Sequence, residues 1–205
     1  IGSDSGVVSV SYDVTDLSTV AGDYTDTSGL GGTVTWLDGE VDSKAITFSL
    51  VDDNWKEGNE IFRVELQPIG DANIDPSYSY TDVTILANDV IHFTVQPASP
   101  QEDTPGGVVD IVVTSSGGEL EPGSDPITST CLTKNGPAPS ATRGVDYDSA
   151  CTGFSFGPGD TDATMTVYLF DDAEIEDDEN FIVAPTGLPA QVTKSQGVVT
   201  IIDDD

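Results

Sequence analysis

Short runs in which apolar and polar residues alternate recur along the whole chain, separated by turns rich in Gly, Asp, Asn and Pro. Alternation with a period of two is typical of strands that bury one face, and such turn residues favour antiparallel connections. Helical periodicity is nearly absent. We therefore expect an all-β protein of antiparallel β-sandwiches, with strands over residues 8–12, 33–36, 45–51, 61–66, 82–86, 91–95, 108–113, 127–132, 153–156, 164–170, 181–183 and 197–202.

One acidic block occurs twice. The first copy reads VDDNWKEGNEIF over residues 51–62, and the second reads FDDAEIEDDENF over residues 170–181. Each is preceded by a Gly-Asp-Tyr or Gly-x-Asp-Tyr element, at 22–24 and 144–147, and each is followed by a strand that ends in acids. The sequence therefore predicts two tandem domains, residues 1–90 and 91–205, with almost no linker.

The two copies differ at their N-terminal side. Aligned on the tyrosine elements, Ile1 lies opposite Ser124. Before that point the second copy has two strand-like runs, 91–95 and 108–113, that have no counterpart in the first. A sandwich without these strands has an open edge. We expect a strand from another chain, or from an upstream segment, to lie along an edge near Val8, Val10 and Tyr12.

The charge of the chain excludes some partners. The 205 residues carry 37 acids against 6 bases, for a net charge of −31. This charge disfavours binding to nucleic-acid phosphates, which requires a basic face, and to anionic membranes. No apolar run reaches the length of a membrane span, so we expect no membrane insertion. A halophilic or highly soluble surface would explain general acidity, but not acids at matching positions in two repeats.

The acids at the matching positions predict a metal site. Carboxylates gathered in loops repel one another unless a cation lies between them, and like charges raise their pKa values. Hard oxygen ligands in this number suit calcium, which we predict as the bound cofactor. The alternative is a solvated acidic surface without metal.

Two cysteines, Cys131 and Cys151, flank the Gly/Pro/Ser-rich segment 133–149. A disulfide between them would close a loop of about 20 residues and stabilise the fold by about 3 kcal/mol in the simple chain model. The alternative is two unpaired thiols in the core. The pairing favours an oxidising compartment, so we expect an extracellular or cell-surface protein.

The sequence gives little support for an enzyme. The single histidine, His92, lies in a predicted strand, which disfavours a zinc site. Paired carboxylates occur in glycosidases, but here they are too numerous and they repeat in both domains. Motifs for a serine nucleophile, a phosphate loop or a dinucleotide fold are absent. Trp36 is predicted to be a core residue, with sugar stacking as the alternative.

The combined motifs resemble the Calx-β domain. These are the Ala21–Tyr24 element, the Gly32–Trp36 strand, the Asp-Asp…Glu…Glu-x-Phe block and a Val-Thr-Ile strand that ends in acids, and they occur twice. That family includes calcium-sensing domains of sodium–calcium exchangers and many domains of extracellular adhesins and matrix proteins. The resemblance implies an immunoglobulin-like sandwich of seven strands, with calcium bound by loops at one end.

The resemblance also implies the ligands. In the second repeat they are Glu102, Asp146, Asp171, Asp172, Glu174 through its carbonyl, Glu176, Glu179, Asp203, Asp204 and Asp205. In the first repeat they are Asp23, Asp52, Asp53, Trp55 through its carbonyl, Glu57, Glu60 and Asp89. The first repeat departs from the pattern at Ala87 and Asn88, where acids are expected, so we expect fewer ions or weaker binding there.

These observations lead to one principal hypothesis and two alternatives. The principal one is a non-enzymatic calcium-binding segment of an extracellular adhesin or matrix protein. One alternative is a surface-filament subunit assembled by strand donation, and the other is a calcium-regulated accessory domain of a secreted enzyme. The expected partners are calcium, neighbouring repeats or subunits of the same protein, and a host or cell-surface ligand.

Overall fold

The computed structural model describes residues 6–20, 22–26 and 30–205. The described chain divides into two compact units: the first comprises residues up to 53 together with 58–87, and the second comprises 54–57 together with 88–205. Apart from two short 3-10 turns, Pro76–Tyr78 and Pro105–Gly107, the regular structure described is β-strand. The prediction of an all-β fold is confirmed.

The first unit contains β1 (Val8–Asp16), β2 (Tyr24–Asp26), β3 (Gly31–Trp36), β4 (Phe48–Leu50), β5 (Glu60–Pro68) and β6 (Tyr80–Ile85). One antiparallel sheet has the order β3-β1-β5-β6, and β2 pairs with β4 in a second, smaller sheet. The Tyr24 ring stacks on Phe62 at a centroid distance of 4.1 Å, and Phe48 packs against both rings. These aromatic side chains form the centre of a small core.

The second unit is larger. It contains β7 (Ile91–Val95), β8 (Val108–Gly117), β9 (Ile127–Thr128), β10 (Thr130–Asn135), β11 (Tyr147–Thr152), β12 (Ser155–Phe156), β13 (Asp162–Leu169), β14 (Glu179–Thr186), β15 (Val192–Lys194) and β16 (Gly197–Ile201). A five-stranded sheet, β11-β13-β8-β7-β15, accompanies the three-stranded sheet β10-β14-β16 and the pair β9-β12. The inward residues of β7, β8, β13, β14 and β16 are buried, as the alternating pattern predicts.

Three strands were not predicted from the alternation: β2, β11 and β15. β11 lies partly in the Gly/Pro/Ser-rich segment, and its sequence YDSACT buries only the Tyr147 side chain fully. β15 has three residues and pairs in parallel with β7. β2 also has three residues, and strands of three residues bury too few side chains for a period of two to be visible. The run predicted over 127–132 is interrupted at Ser129, whose N–H donates to the Phe154 carbonyl instead.

Within the residues that the structure describes, the first unit lacks strands that the second unit has. Tyr24 pairs with Leu50 in β2 and β4, and Tyr147 pairs with Leu169 in β11 and β13, so the two leucines occupy equivalent positions. Leu169 is 4% exposed and Leu50 is 60% exposed. In the second unit β8 pairs with the far side of β13, whereas among the described residues of the first unit β4 pairs only with β2. For the described part of the first unit, the predicted absence of these strands is confirmed.

The position of the open edge differs from the prediction. β1 is paired on both sides, with β3 and β5. Val10 and Tyr12 are buried, at 9% and 5% exposure, so the prediction that the unfilled groove lies beside Val8, Val10 and Tyr12 is wrong. The missing strands belong to the other sheet, and the open edge is therefore β4.

The predicted disulfide between Cys131 and Cys151 is present. It joins β10 of the three-stranded sheet to β11 of the five-stranded sheet. In the first unit Tyr12 of β1 occupies the place of Cys131, and its hydroxyl donates to Asp26 Oδ2 in β2 at 3.2 Å. A Cβ at Gly32 would lie 2.9 Å from the Tyr12 ring. A hydrogen bond thus connects the two sheets of the first unit, and a covalent bond connects those of the second.

The two equivalent leucines give a direct test of the open edge. Leu169→Asp places a charge in a packed core and is expected to cost about 4 kcal/mol or more of unfolding free energy. Leu50→Asp is expected to change the unfolding free energy of the first unit by less than about 1 kcal/mol, because the side chain is already in solvent. Scanning calorimetry of the full chain measures both, and equal losses would contradict the open edge.

Candidate metal centre

The acids of the second unit converge on one cleft. Carboxylate oxygens of Asp146, Glu176 and Glu179 lie within 4.8 Å of one another. Further side chains complete the lining of the cleft, which consists of Glu102, Asp146, Glu176, Asp177, Glu179, Ile201 and Asp203. These residues come from four separate places in the sequence. The fold therefore brings together oxygens that a single cation can contact simultaneously.

Asp146 is held by hydrogen bonds to Thr142 in its own loop and to the start of the acidic block. Its Oδ2 accepts a short hydrogen bond from the Thr142 N–H, and its N–H donates to the Thr142 carbonyl at 3.0 Å. Its carbonyl accepts the Phe170 N–H at 3.0 Å, directly before the paired acids. The next residue, Tyr147, stacks on Phe181 with centroids 4.2 Å apart. The ring anchors the aspartate to the core beside the cleft.

The first unit repeats this arrangement. Asp23 Oδ2 accepts the Val20 N–H at 2.5 Å, and the Asp23 carbonyl accepts the Val51 N–H at 2.8 Å. Tyr24 stacks on Phe62 as Tyr147 does on Phe181. The Gly-Asp-Tyr element found in the sequence thus has a physical role. Its aspartate is tied to the acidic block and its tyrosine is fixed in the core.

Glu102 is the predicted acid in the loop between β7 and β8, and it is as enclosed as Asp146. It is 6% exposed. Its N–H donates to the Ile202 carbonyl at 3.0 Å, which holds it beside the end of β16. Its carboxylate accepts a backbone hydrogen bond from Asp172, and Asp172 Oδ1 accepts the Glu174 N–H at 2.8 Å. These bonds order the start of the acidic block against Glu102.

The cluster is electrostatically unfavourable without a cation. Burial, a hydrogen bond with Asp146 and the charges of Asp146, Glu176 and Glu102 raise the pKa of Glu179 to about 7. Burial and neighbouring carboxylates also raise the pKa values of Glu102, Glu176 and Asp205. Each shift means that the folded chain resists full ionisation of the cluster. A divalent cation would remove this repulsion.

The oxygen atoms that line the cleft fit calcium. All side-chain donors in the cleft are carboxylates, which suit a hard cation with many oxygen ligands. Within the part of the chain that the structure describes, the buried Oδ1 of Asp203 has no hydrogen-bond partner in the protein. A buried acceptor without a donor is costly, and a cation would satisfy it. His92 lies elsewhere, with its Nδ1 2.6 Å from Thr193 Oγ1.

The acids at the ends of the second-repeat set contribute mainly charge. Asp171, Asp204 and Asp205 are exposed. The pKa of Asp205 is raised, first by burial and then by the charges of Asp204, Asp203, Asp171 and Asp172. Asp177, which lines the cleft, was not predicted. It follows Glu176 in the run EIEDDE, and the resemblance gave no reason to choose it over its neighbours.

The first repeat has a smaller group. Asp23 and Glu60 are half-buried, and their carboxylate oxygens lie within 4.8 Å of each other. The predicted ligand Glu57 is also half-buried, but it belongs to residues 54–57, which fall with the second unit. Over the described residues that group does not include the remaining predicted ligands, of which Asp52 and Asp53 are exposed and Trp55 and Asp89 are half-buried. The smaller group agrees with the expectation of fewer ions or weaker binding, which remains a prediction.

The raised pKa of Glu179 predicts the pH dependence of the metal-free chain. A folded pKa of about 7, above the ordinary 4.5, means that the folded state holds the proton more tightly. The unfolding free energy should therefore fall as pH rises from about 4.5 to about 7. With calcium, which needs ionised ligands, the trend should reverse. Urea denaturation in chelator and in calcium measures both slopes.

The control for this prediction is Glu179→Gln, which removes the titrating carboxyl. It should reduce the metal-free pH dependence between about pH 4.5 and 7, and the part that remains is due to the raised pKa values of Glu102 and Glu176. The two lowered carboxyl pKa values, of Glu40 beside Lys44 and Asp82 beside Arg63, lie below this interval and do not interfere. A metal-free chain whose stability rises over the interval would contradict the prediction.

The fold and the acidic loops define a tandem β-sandwich module with a candidate cation cluster in the second repeat and a pair of acids, Asp23 and Glu60, at the matching place in the first. The Calx-beta domain family matches residues 1–89 and 87–205. The chain therefore belongs to the Calx-beta family, whose domains are calcium-binding modules. Within the described residues, no helix is long and apolar enough to cross a membrane.

Solved structures show a distant similarity. The apo form of the Calx CBD1 domain is 22% identical, covers 57% of this chain and 99% of that chain, and has a TM-score of 0.47. CBD12 from CALX1.2 is 16% identical, covers 98% of this chain and 90% of that chain, and has a TM-score of 0.42. The calcium binding domain CBD12 of CALX1.1 gives 17%, the same coverage and 0.40. Comparison with curated proteins finds no match.

Proposed function

We propose that this chain is a structural segment of an extracellular adhesin or matrix protein and that calcium rigidifies it. The observation that carries the proposal is the cleft of the second unit, where Glu102 and Asp146 are each 6% exposed. Buried carboxylates are stable only when they are paired, protonated or bound to a cation. Calcium binding would remove the repulsion between these carboxylates, and its binding free energy would add to the stability of the folded state.

Two further features support an extracellular structural role. The disulfide between Cys131 and Cys151 is typical of oxidising compartments. The acids that would act as catalysts in a hydrolase are instead gathered into a cluster of three, Asp146, Glu176 and Glu179, in the second repeat. Calx-beta domains are binding modules, and we propose that this chain has no catalytic activity of its own.

Calorimetric titration with calcium tests binding, and single-molecule stretching tests the mechanical role. We expect the unfolding force of the second repeat to be higher in calcium than in chelator, because the ion connects loops that otherwise separate under load. Magnesium, which prefers a small octahedral site and keeps its waters, should give a smaller effect. No calcium binding would refute the calcium role. Binding without a change in force would instead favour a sensing role over a rigidifying one.

A second function, subunit of a filament assembled by strand donation, is supported by the open edge of β4. Leu50 and Val51 are 60% and 49% exposed there, and an edge strand is a template for pairing with another chain. If copies assemble through this edge, Leu50→Asp should abolish assembly measured by light scattering and electron microscopy. Leu37→Asp, at a residue that is 64% exposed after β3, is the matched control and should not.

A further inference from the structure

The loop between β10 and β11, residues 136–146, carries Asp146 to the cleft and is fastened along its length. The Ala141 N–H donates to the Asn180 carbonyl at 3.0 Å, and the Asn180 N–H donates to the Pro139 carbonyl at 2.9 Å. The Asn180 side-chain amide also donates to Pro139, at 3.1 Å. Asn180 directly follows Glu179. The loop is thus fastened to β14 beside one of the acids that Asp146 must meet.

The close approach at this contact depends on a glycine. A Cβ at Gly136 would lie 2.4 Å from the Asn180 carbonyl oxygen, which is closer than any real contact. A third fastening is the Arg143 guanidinium, which donates from Nη2 to the Thr133 carbonyl of β10 at 2.9 Å. The loop therefore has little freedom while these contacts persist.

The disulfide closes the base of this loop. Cys131 and Cys151 lie in the strands that enter and leave it, and they are 20 residues apart in sequence. In the first repeat the corresponding loop, residues 17–23, is shorter. It has a similar contact, in which the Leu17 and Ser18 N–H groups both donate to the Ile61 carbonyl at 3.0 Å. The longer loop has more conformational entropy to lose, and it is the one with the covalent closure.

We propose that the disulfide and the Asn180 contact position Asp146 against Glu179. The calcium affinity of the second repeat then depends on the bond between Cys131 and Cys151, although neither cysteine contacts the ion. This inference rests on the proposed calcium function. Cys131, Cys151 and Gly136 act as positioning residues. Without them Asp146 must be ordered when the ion binds, and that ordering reduces the affinity.

The test is calcium titration of the full chain with the first-repeat group disabled by Asp23→Asn and Glu60→Gln. In this parent, Cys131→Ser with Cys151→Ser should weaken calcium binding about tenfold or more, the usual effect of removing groups that orient metal ligands. Gly136→Ala leaves the disulfide intact and should weaken binding in the same way. Gly157→Ala is the matched control, because its Cβ would meet only Asp160 Oδ2 at 3.5 Å, and its affinity should equal that of the parent.

The outcomes separate the two proposals. A parent that does not bind calcium refutes the proposed function and this inference with it. A parent that binds, with both loop variants binding equally well, overturns the inference and leaves the function intact. Near-ultraviolet circular dichroism reports the folded fraction before each titration. Weaker binding that is explained entirely by a smaller folded fraction would also overturn the inference, since positioning predicts a lower affinity of folded protein.

Discussion

Calcium is expected to raise the melting temperature of the second repeat by roughly 15 °C over the value in chelator. An ion present at a thousandfold excess over its dissociation constant stabilises the folded state by about 4 kcal/mol, and a domain of this size responds with about 4 °C per kcal/mol. The physical reason is the cleft of Asp146, Glu176 and Glu179, whose mutual repulsion the ion removes. Scanning calorimetry with calcium and with chelator measures the shift.

The shift should be smaller in the first repeat, because within the described residues of the first unit the clustered acids are two, Asp23 and Glu60, against three in the second unit. No shift in either repeat would rule out a structural role for calcium. A larger shift in the first repeat would contradict the ranking of the two sites.

Asp172→Ala should separate binding from general stability. The charge of Asp172 contributes to the raised pKa values of Glu102, Glu176 and Asp205. Its removal should stabilise the metal-free chain slightly and reduce the calcium-induced shift. Asp162→Ala, at an exposed position that begins β13, is the control and should leave the shift unchanged. A normal shift in Asp172→Ala would remove this residue from the proposed ligand set.

The fold was largely predictable because its strands follow simple rules. β7 alternates buried and half-buried side chains along its whole length, and β8 alternates exposed and buried side chains over residues 108–113. The repeated acidic block fixed the correspondence between the two copies, and from it the absence of two strands in the first. The location of the resulting edge was not predictable, because a sequence pattern shows which strands are missing but not which neighbour they leave uncovered. Only the pairing of β4 showed that.

The chemistry of the candidate site was predictable from the sequence, but the full set of residues that form it was not. Motif positions led to Asp146 and Glu179, which the fold brings together. Asp177 was not predicted, because adjacent acids in one loop cannot be ranked without the path of the backbone. The contact by which Asn180 holds the neighbouring loop was not predicted either, since it consists mostly of backbone hydrogen bonds, which leave no signature in residue type.

Supplying a strand to the open edge of β4 should produce the second large effect. A synthetic peptide with the sequence of residues 106–117, which contains β8, is expected to bind the full chain and raise the melting temperature of the first unit. In the second unit β8 pairs with β13 and buries Val109, Ile111 and Val113. The equivalent face of the first unit has only Ile46 and Phe48 half-buried and Leu50 exposed. Covering these side chains contributes about 1.5–3 kcal/mol each before ordering costs.

The rise in melting temperature should depend on the open edge of β4 and on the apolar positions of the peptide. A peptide with aspartate in place of the central isoleucine cannot bury that position and should have no effect, since a charge in the groove costs more than the remaining contacts return. Leu50→Asp in the chain should abolish the response to the unmodified peptide, whereas Leu37→Asp should preserve it. Binding is followed by fluorescence anisotropy of a labelled peptide, and melting by calorimetry. If the first unit melts at the same temperature with and without the peptide, its sandwich is already complete and the proposal of an acceptor edge fails.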